Sequence, residues 1–216
     1  MKTIASPLFQ DLSGAELDAL AAAGHLRTRQ FAKHEVIFRA GSCVREIGIV
    51  LRGSVHIENL DLWGTKSILS SVGAGQAFAE TYAFCGEALM VDAVAAENCE
   101  VLFLHTAALT DAQIEPALRD KLLRRLLAVS MRKNLSLSQR IFCTTPKTVR
   151  GRLLTYFSAQ AARCGSMEFE VPFNRQQMAD YLNLDRSALS KELCRMRDEG
   201  LLEFDKNRFV LKQLPE

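Results

Sequence analysis

The hydrophobic period of this chain changes twice along its length, and that limits what it can fold into. From Leu26 to about Leu104 the apolar residues come in short, alternating, β-rich runs such as REIGIVLRGSVHIENL and VDAVAAENCEVLFL. Gly41, Gly53, Gly64, Gly73 and Gly75 punctuate them. Several short strands with turn residues between them specify a small barrel or jelly-roll rather than a parallel sheet. On either side the period is helical. Ser13 followed by Glu16 reads as a capping box, and Leu17, Leu20 and Ala21 share one face, so Pro7 to Gly24 is expected to hold a short amphipathic helix. After Asp111 the helical spacing returns and persists. The fold class is α+β.

Two apolar stripes run along the helix that follows. Ile114, Leu118, Leu122, Leu126 and Val129 form one; Leu123, Leu127 and Met131 form the other. Two stripes imply two packing partners, the β-rich unit on one side and a second subunit on the other. The turn Cys143-Thr144-Thr145-Pro146 then separates this helix from the next, with Thr145 as the expected cap and Pro146 at the first helical position. Val149, Leu153, Leu154 and Phe157 face inward, and Cys164-Gly165-Ser166 ends that helix. Met167 to Phe173 reads as a strand, and the residues from Leu201 to Leu211 read as a closing hairpin. Three segments follow: residues 1–112, 113–143 and 144–216.

Between that strand and that hairpin lies NRQQMADYLNLDRSALSKELCRMRDEGLL, Asn174 to Leu202. Asn174 is a good N-cap, and Met178, Tyr181 and Leu182 make one apolar face. Asn183-Leu184-Asp185 breaks the run, since Asn tolerates a left-handed backbone and Asp185 can cap the next helix. From Arg186 the apolar positions are Leu189, Leu193 and Met196, and Gly200 supplies a left-handed stop. Ser187, Ser190, Lys191 and Cys194 are left pointing outward, with Arg186 at the edge of the first turn. A short basic face at a helix N-terminus can approach phosphates and reach base edges in a major groove. An ordinary helical hairpin with a solvated polar face has the same local features. The flanking strand and hairpin favour a winged helix-turn-helix.

Charge is unevenly divided. Residues 1–120 hold 9 Lys and Arg against 15 Asp and Glu, whereas residues 121–216 hold 18 against 10. Residues 121–152 carry nine basic side chains and no acidic one. Such a distribution fits an acidic sensing half and a basic half that meets a polyanion, although a solvated basic helix would look the same. No run reaches the ~18–20 apolar residues of a membrane span, and the N-terminus lacks a signal-peptide core, so a cytoplasmic location without membrane contact is expected. Six cysteines, at positions 43, 85, 99, 143, 164 and 194, show no CxxC and no regular spacing. That gives no support to a metal or an iron–sulfur cluster. Cys85 and Cys143 are the candidates for redox sensitivity, against the simpler reading of small buried hydrophobes. No nucleophile–base pairing or phosphate loop has motif support, so catalysis is not expected.

Within the β-rich stretch, Gly75 to Val91 reads GQAFAETYAFCGEALMV. Small residues around Glu80 lead into a short helical piece from Thr81 to Phe84, a turn whose backbone N–H groups can hold an anion or a hydroxyl-bearing ligand.

Taken from end to end, the chain resembles the Crp/Fnr family of bacterial transcription regulators. The likeness is carried by PLFQDLSGAELDAL, the GSVHI run after Gly53, GQAFAE, the basic helix and RQQMADYLNLDRSALSKEL. The resemblance implies a homodimer with an effector-sensing, cyclic-nucleotide-binding-like jelly-roll (residues 1–112), a long dimerisation helix (113–143) and a winged helix-turn-helix domain (144–216). It implies that Arg186, Ser187, Ser190 and Lys191, capped by Asp185, face the major groove of a palindromic duplex. Arg175 and Gln176 match family positions that touch the DNA backbone, and Lys206 of the wing joins them. RNA polymerase is a further partner of activators in this family. An effector would lie near Gly75, Ala79, Glu80, Thr81, Met90 and Val91. Cyclic-AMP-binding members follow the Glu equivalent to Glu80 with an Arg-Ser or Arg-Thr pair. Met90 and Val91 stand there instead, so a small effector other than cyclic AMP is expected. The alternatives are a cyclic-nucleotide-binding interaction module that does not touch DNA, or a redox-responsive regulator acting through cysteines.

Overall fold

The computed structural model describes residues 5–60 and 66–212, and its contacts divide the chain into two compact units, Met1–Arg132 and Lys133–Glu216. Gly64 lies outside the described residues.

The first unit is built on two four-stranded antiparallel sheets. One has the order β1 (Leu26–Phe31), β8 (Cys99–His105), β3 (Glu46–Arg52), β6 (Ala77–Phe78). The other has the order β2 (Val36–Phe38), β7 (Asp92–Ala95), β4 (Ser54–Leu60), β5 (Lys66–Gly73). Between the sheets lies one core, containing Phe31, Val50, Val55, Phe78, Ala95, Val101 and Phe103. Gly48 of β3 is part of that fit: a Cβ there would stand 2.2 Å from the Phe78 ring.

The alternating period expected for the whole β region fails in β3 and β8, because these two strands are covered on both faces. Ile47 and Ile49 of β3 pair with Leu104 and Leu102 of β8 and turn away from the inter-sheet core. They pack instead with Leu17 and Leu20 of α1 (Gly14–Ala22) and with Leu118, Leu122 and Leu126 of α3 (Pro116–Thr144). A strand buried on both faces has no polar side, so its sequence is a continuous apolar run, IGIVL or VLFL. Each side chain fully buried in this way contributes about 1.5–3 kcal/mol. The N-terminal helix is also shorter than Pro7 to Gly24. Pro7–Phe9 forms a 3₁₀ turn capped by Ser6, and α1 begins only after Ser13. Between β6 and β7 lies the short helix α2 (Glu80–Cys85).

The second unit contains the last turns of α3, then α4 (Val149–Cys164), β9 (Glu168–Glu170), α5 (Arg175–Leu182), α6 (Arg186–Asp198), β10 (Leu202–Asp205) and β11 (Arg208–Leu211). The strands form one antiparallel sheet in the order β10-β11-β9. Its core holds Leu153, Tyr156, Phe157, Met178, Leu182, Leu189, Leu193, Met196 and Phe209. Phe157 and Phe209 have ring centroids 4.6 Å apart, and Tyr156 and Tyr181 are 5.5 Å apart. The expected strand Met167 to Phe173 is cut to three residues; beyond it Val171 donates to the Asn207 carbonyl (2.9 Å), and Pro172 has no N–H to continue the ladder.

The start of α4 differs from expectation. Thr145 does not cap it. The Thr145 N–H and hydroxyl both donate to the Ile141 carbonyl, at 2.9 and 2.8 Å, and so extend α3. Pro146 therefore precedes the helix, and Thr148 is the cap, its hydroxyl accepting from the Gly151 N–H at 3.0 Å.

The capping box of α1 forms as its spacing requires: Ser13 accepts from the Glu16 N–H at 3.3 Å and Glu16 accepts from the Ser13 N–H at 2.7 Å. Lys121 of α3 donates to the same Glu16 carboxylate at 2.7 Å. That bond and the Ser13 N–H hold the Glu16 carboxyl at about 2. A lowered acid contributes stability above its ordinary range, and this is lost as pH falls from 4.5 toward 2. Glu16→Gln keeps the box but removes the charge. It is expected to cost roughly 0.5 kcal/mol at neutral pH, with the difference vanishing near pH 2, as read from chemical-denaturation midpoints.

Candidate functional site

The two helices α5 and α6 are built from their caps. Asn174 accepts from the Gln177 N–H at 2.9 Å while the Gln177 side chain accepts from the Asn174 N–H at 2.9 Å, a complete capping box. Asn183 takes the left-handed backbone that ends α5, with φ 52°. Asp185 accepts from the Ala188 N–H at 2.9 Å and from the Ser187 hydroxyl. These two bonds, the Ser187 one the larger, hold its carboxyl below the usual range. Leu189, Leu193 and Met196 are buried on the inner face of α6, as their spacing requires.

On the outer face, Arg186, Ser187, Lys191, Cys194 and Arg195 are exposed and Ser190 is half-buried. The charges there differ in how they are held. Glu192 and Glu199 accept from Arg150 of α4 at 2.6 and 2.9 Å, Arg195 donates to Glu199 at 3.1 Å, and Arg197 pairs with Asp198 at 3.1 Å. Arg186 and Lys191 make no hydrogen bond or ion pair among the described residues, so their charges are available to a partner.

The remaining expected contact residues surround the N-terminus of α5 and the hairpin. Gln176 is exposed and donates to Asp180 at 2.9 Å. Arg175 is half-buried, with its guanidinium 4.9 Å from the Phe204 ring and 5.1 Å from the Phe209 ring. Burial lowers its pKa, and the contact ties α5 to the β10-β11 hairpin. Lys206 sits at the hairpin tip, with φ 50°. Arg175 and Lys206 line one cleft together with Asn174.

The basic run 121–152 is mostly engaged within the protein. Lys121 pairs with Glu16 and Arg125 with Asp11. Arg140, Arg150 and Arg152 turn onto α5 and α6. Arg140 donates to the Tyr181 and Asp180 carbonyls, both at 3.0 Å, and Arg152 donates to the Leu182 and Asn183 carbonyls at 3.1 and 2.7 Å. By sequence these arginines count as surface charge. For Arg140 and Arg152 only the absence of nearby acids hints that something other than carboxylates receives them, whereas Arg150 does meet carboxylates.

In the first unit the expected effector residues separate into two groups. Glu80 and Thr81, with Phe84 and Cys85, line a cavity of about 230 Å³ closed on its other side by Leu123, Leu126, Leu127 and Ser130 of α3. Gly75, Ala79, Met90 and Val91 do not line it. Gly75, at φ 81°, lets the chain pass the Ala5 carbonyl, which a Cβ would approach to 2.4 Å. Ala79 precedes α2 in the left-handed region, at φ 62°. Met90 is exposed and Val91 is half-buried just before β7. The cavity wall holds one carboxyl, two hydroxyls, one thiol and no cation.

Cys143 is buried in the core of the second unit and Cys99 in that of the first, and burial pushes both thiols up, away from the reactive thiolate. Cys85 is exposed. Among the described residues no group of three His, Cys, Asp or Glu could hold a metal ion. No helix among them is long and apolar enough to cross a membrane.

Comparison with known proteins agrees with this architecture. The family model for the cyclic nucleotide-binding domain matches residues 28–113, and that for the Crp-like helix-turn-helix domain matches residues 151–216. The chain belongs to the Crp/Fnr family of DNA-binding transcription regulators. Transcriptional activator protein FnrA of Stutzerimonas stutzeri is 24% identical over 188 residues, 82% of this chain and 73% of the relative. The catabolite activator protein of Thermus thermophilus is 25% identical, covers 96% of this chain and 94% of its own, and superposes with a TM-score of 0.50. The c-di-GMP-responsive regulator CLP of Xanthomonas campestris, 18% identical, shares the fold with a TM-score of 0.56 over 93% of this chain and 100% of its own. The chain itself joins a jelly-roll to a winged helix-turn-helix.

The cap between the two helices gives a direct test. Asp185→Ala removes the acceptor for the Ala188 N–H and is expected to destabilise the second unit, read as a lower denaturation midpoint, with Asp185→Asn, which keeps an acceptor, close to wild type.

Proposed function

We propose that this Crp/Fnr protein is a homodimer that reads a palindromic duplex through α6 and responds to a small effector bound in the jelly-roll unit. The observation that carries the reading is the outer face of α6. On a helix whose other charges are paired, Arg186 and Lys191 stand exposed and unpaired beside Ser187 and Ser190. Arg186 lies in the first turn, where a guanidinium can reach a guanine edge; a bidentate contact there discriminates by about 1–3 kcal/mol. Gln176 and Lys206 contact phosphates and set the register of the helix. Arg175 assists from its seat on the wing rings. Asp185 serves as the cap that aims the first turn.

Dimerisation uses the second stripe of α3. Leu123, Leu127, Met131, Leu135, Ile141 and Phe142 are all large, apolar and exposed along one helix, which water disfavours and a partner helix would cover. Two-fold symmetry then places two α6 helices in successive major grooves, about 34 Å apart. RNA polymerase is the further partner if the regulator activates. The effector is not cyclic AMP: the cavity beside α2 offers the Glu80 carboxyl and no cation to a cyclic phosphate, and Met90 and Val91 supply none. Catalysis is no part of the role.

Arg186→Ala and Lys191→Ala are each expected to weaken binding to an operator selected from random duplexes roughly tenfold, with dimerisation intact. Wild-type affinity should fall linearly with salt on logarithmic axes, and Lys191→Ala should flatten that line by about one counterion if it meets a phosphate. Unchanged affinity in both variants would remove the assignment of α6. Ile141→Glu places a charge in the exposed stripe. It is expected to shift the chain to monomers in sedimentation equilibrium and to abolish tight operator binding.

A further inference from the structure

We propose that Arg140 and Arg152 are positioning residues for DNA recognition, acting through the carbonyls at the C-terminal end of α5. A helix leaves its last carbonyls without intrahelical partners, and these must be met by something. Here the Leu184 N–H takes the Ala179 carbonyl at 2.9 Å. The Asp180 carbonyl accepts from the Asn183 N–H at 3.3 Å and also from Arg140, and the next three have only guanidiniums: Tyr181 meets Arg140, and Leu182 and Asn183 meet Arg152. Arg152 also donates to the Pro146 carbonyl at 2.8 Å, which ties the α3–α4 turn to the same point.

The arrangement suits arginine. A planar guanidinium can donate in two directions at once and stays charged, so it grips a row of carbonyls and opposes the negative end of the helix. Neither side chain lies on the outer face of α6. Together they hold the segment Asp180–Asn183, and the two residues after it carry the chain to Asp185, which caps α6 ahead of Arg186. Arg140 belongs to α3, and Ile141 and Phe142 beside it are exposed on the same helix. The last turns of α3 are therefore bound directly to the C-terminal end of α5. Covering Ile141 and Phe142 with a partner helix would steady the helix that carries Arg140.

This inference rests on the DNA-reading function above, and the test separates the two. The wild-type chain is used to select an operator from a randomised duplex pool. The affinities of wild type, Arg140→Met and Arg140→Lys are then measured for that operator and for a scrambled duplex, across a range of salt. Arg140→Met is expected to bind the operator roughly tenfold more weakly, with scrambled-duplex affinity and salt slope retained. Arg140→Lys, which keeps the charge but donates as a point, should recover part of the loss. Undiminished operator affinity in Arg140→Met overturns the proposal while leaving the DNA-reading function standing. Equal losses on both duplexes, with a flatter salt slope, also overturn it, because Arg140 would then be meeting a phosphate. Should Arg140→Met fail to fold, Arg140→Lys decides: wild-type operator affinity overturns, and a selective loss on the operator supports. A wild-type pool that enriches no sequence overturns the function and the inference together.

Discussion

The second unit depends on how the end of α5 is satisfied. Between Leu182 and Arg186 the chain must leave one helix, reverse and start another, with few residues in which to pair its backbone groups. Asn183 absorbs the reversal with a left-handed backbone and Asp185 caps the next helix, but the carbonyls of Tyr181, Leu182 and Asn183 remain. Two arginines from α3 and α4 take them. Arg150 does the corresponding work on α6, where it bridges Glu192 and Glu199. Three side chains within residues 140–152 therefore bond both helices of the motif, above an apolar core shared with α4 and the strands.

The same partition recurs in the first unit. One sheet is covered by its partner sheet on one face and by helices on the other, so α3 is held to the jelly-roll by Leu118, Leu122 and Leu126. The helix has a second apolar face, and among the described residues nothing covers it. Leu123 and Leu127 are on that face and also line the cavity beside Glu80 and Thr81. A ligand in that cavity would touch the helix face that a second subunit would cover. Linkage between effector and dimer then requires only that the ligand favour one arrangement of that helix over another.

Charge counts along the sequence overstate the surface available to a polyanion. The nine cations in 121–152 and the absence of acids look like an open basic face. Lys121, Arg125, Arg140, Arg150 and Arg152 instead face acids or carbonyls of the protein itself. Among the described residues, Arg186 and Lys191 stay unpaired in a helix, Arg186–Asp198, of whose thirteen residues six are charged. Position on a helix, rather than local charge density, marks them.

Features set by neighbours in sequence are legible in the amino-acid order alone. The capping box at Ser13, the caps at Asn174 and Asp185, the left-handed Asn183 and Gly200, and the stripe Leu189-Leu193-Met196 all follow from spacing and backbone preference within a few residues. So does the resemblance of the winged segment to the Crp/Fnr pattern. Features set by distant neighbours are not legible in that way. A doubly covered strand and a singly covered one differ only in what the rest of the chain brings to their outer face. Thr148 rather than Thr145 caps α4 because the bonds from the Thr145 N–H and hydroxyl to the Ile141 carbonyl keep Thr145 on the end of α3. Arginines at 140 and 152 could meet phosphate, carboxylate or carbonyl, and a guanidinium carries no local sign of which. Sequence determined the elements, several of their caps and the outward face of α6; tertiary structure decided the remaining ends, which charges remained free and which carbonyls needed them. The reason is one of range: caps and periods act over a turn or two, whereas a buried carbonyl accepts from whichever donor the fold brings within about 3 Å of it.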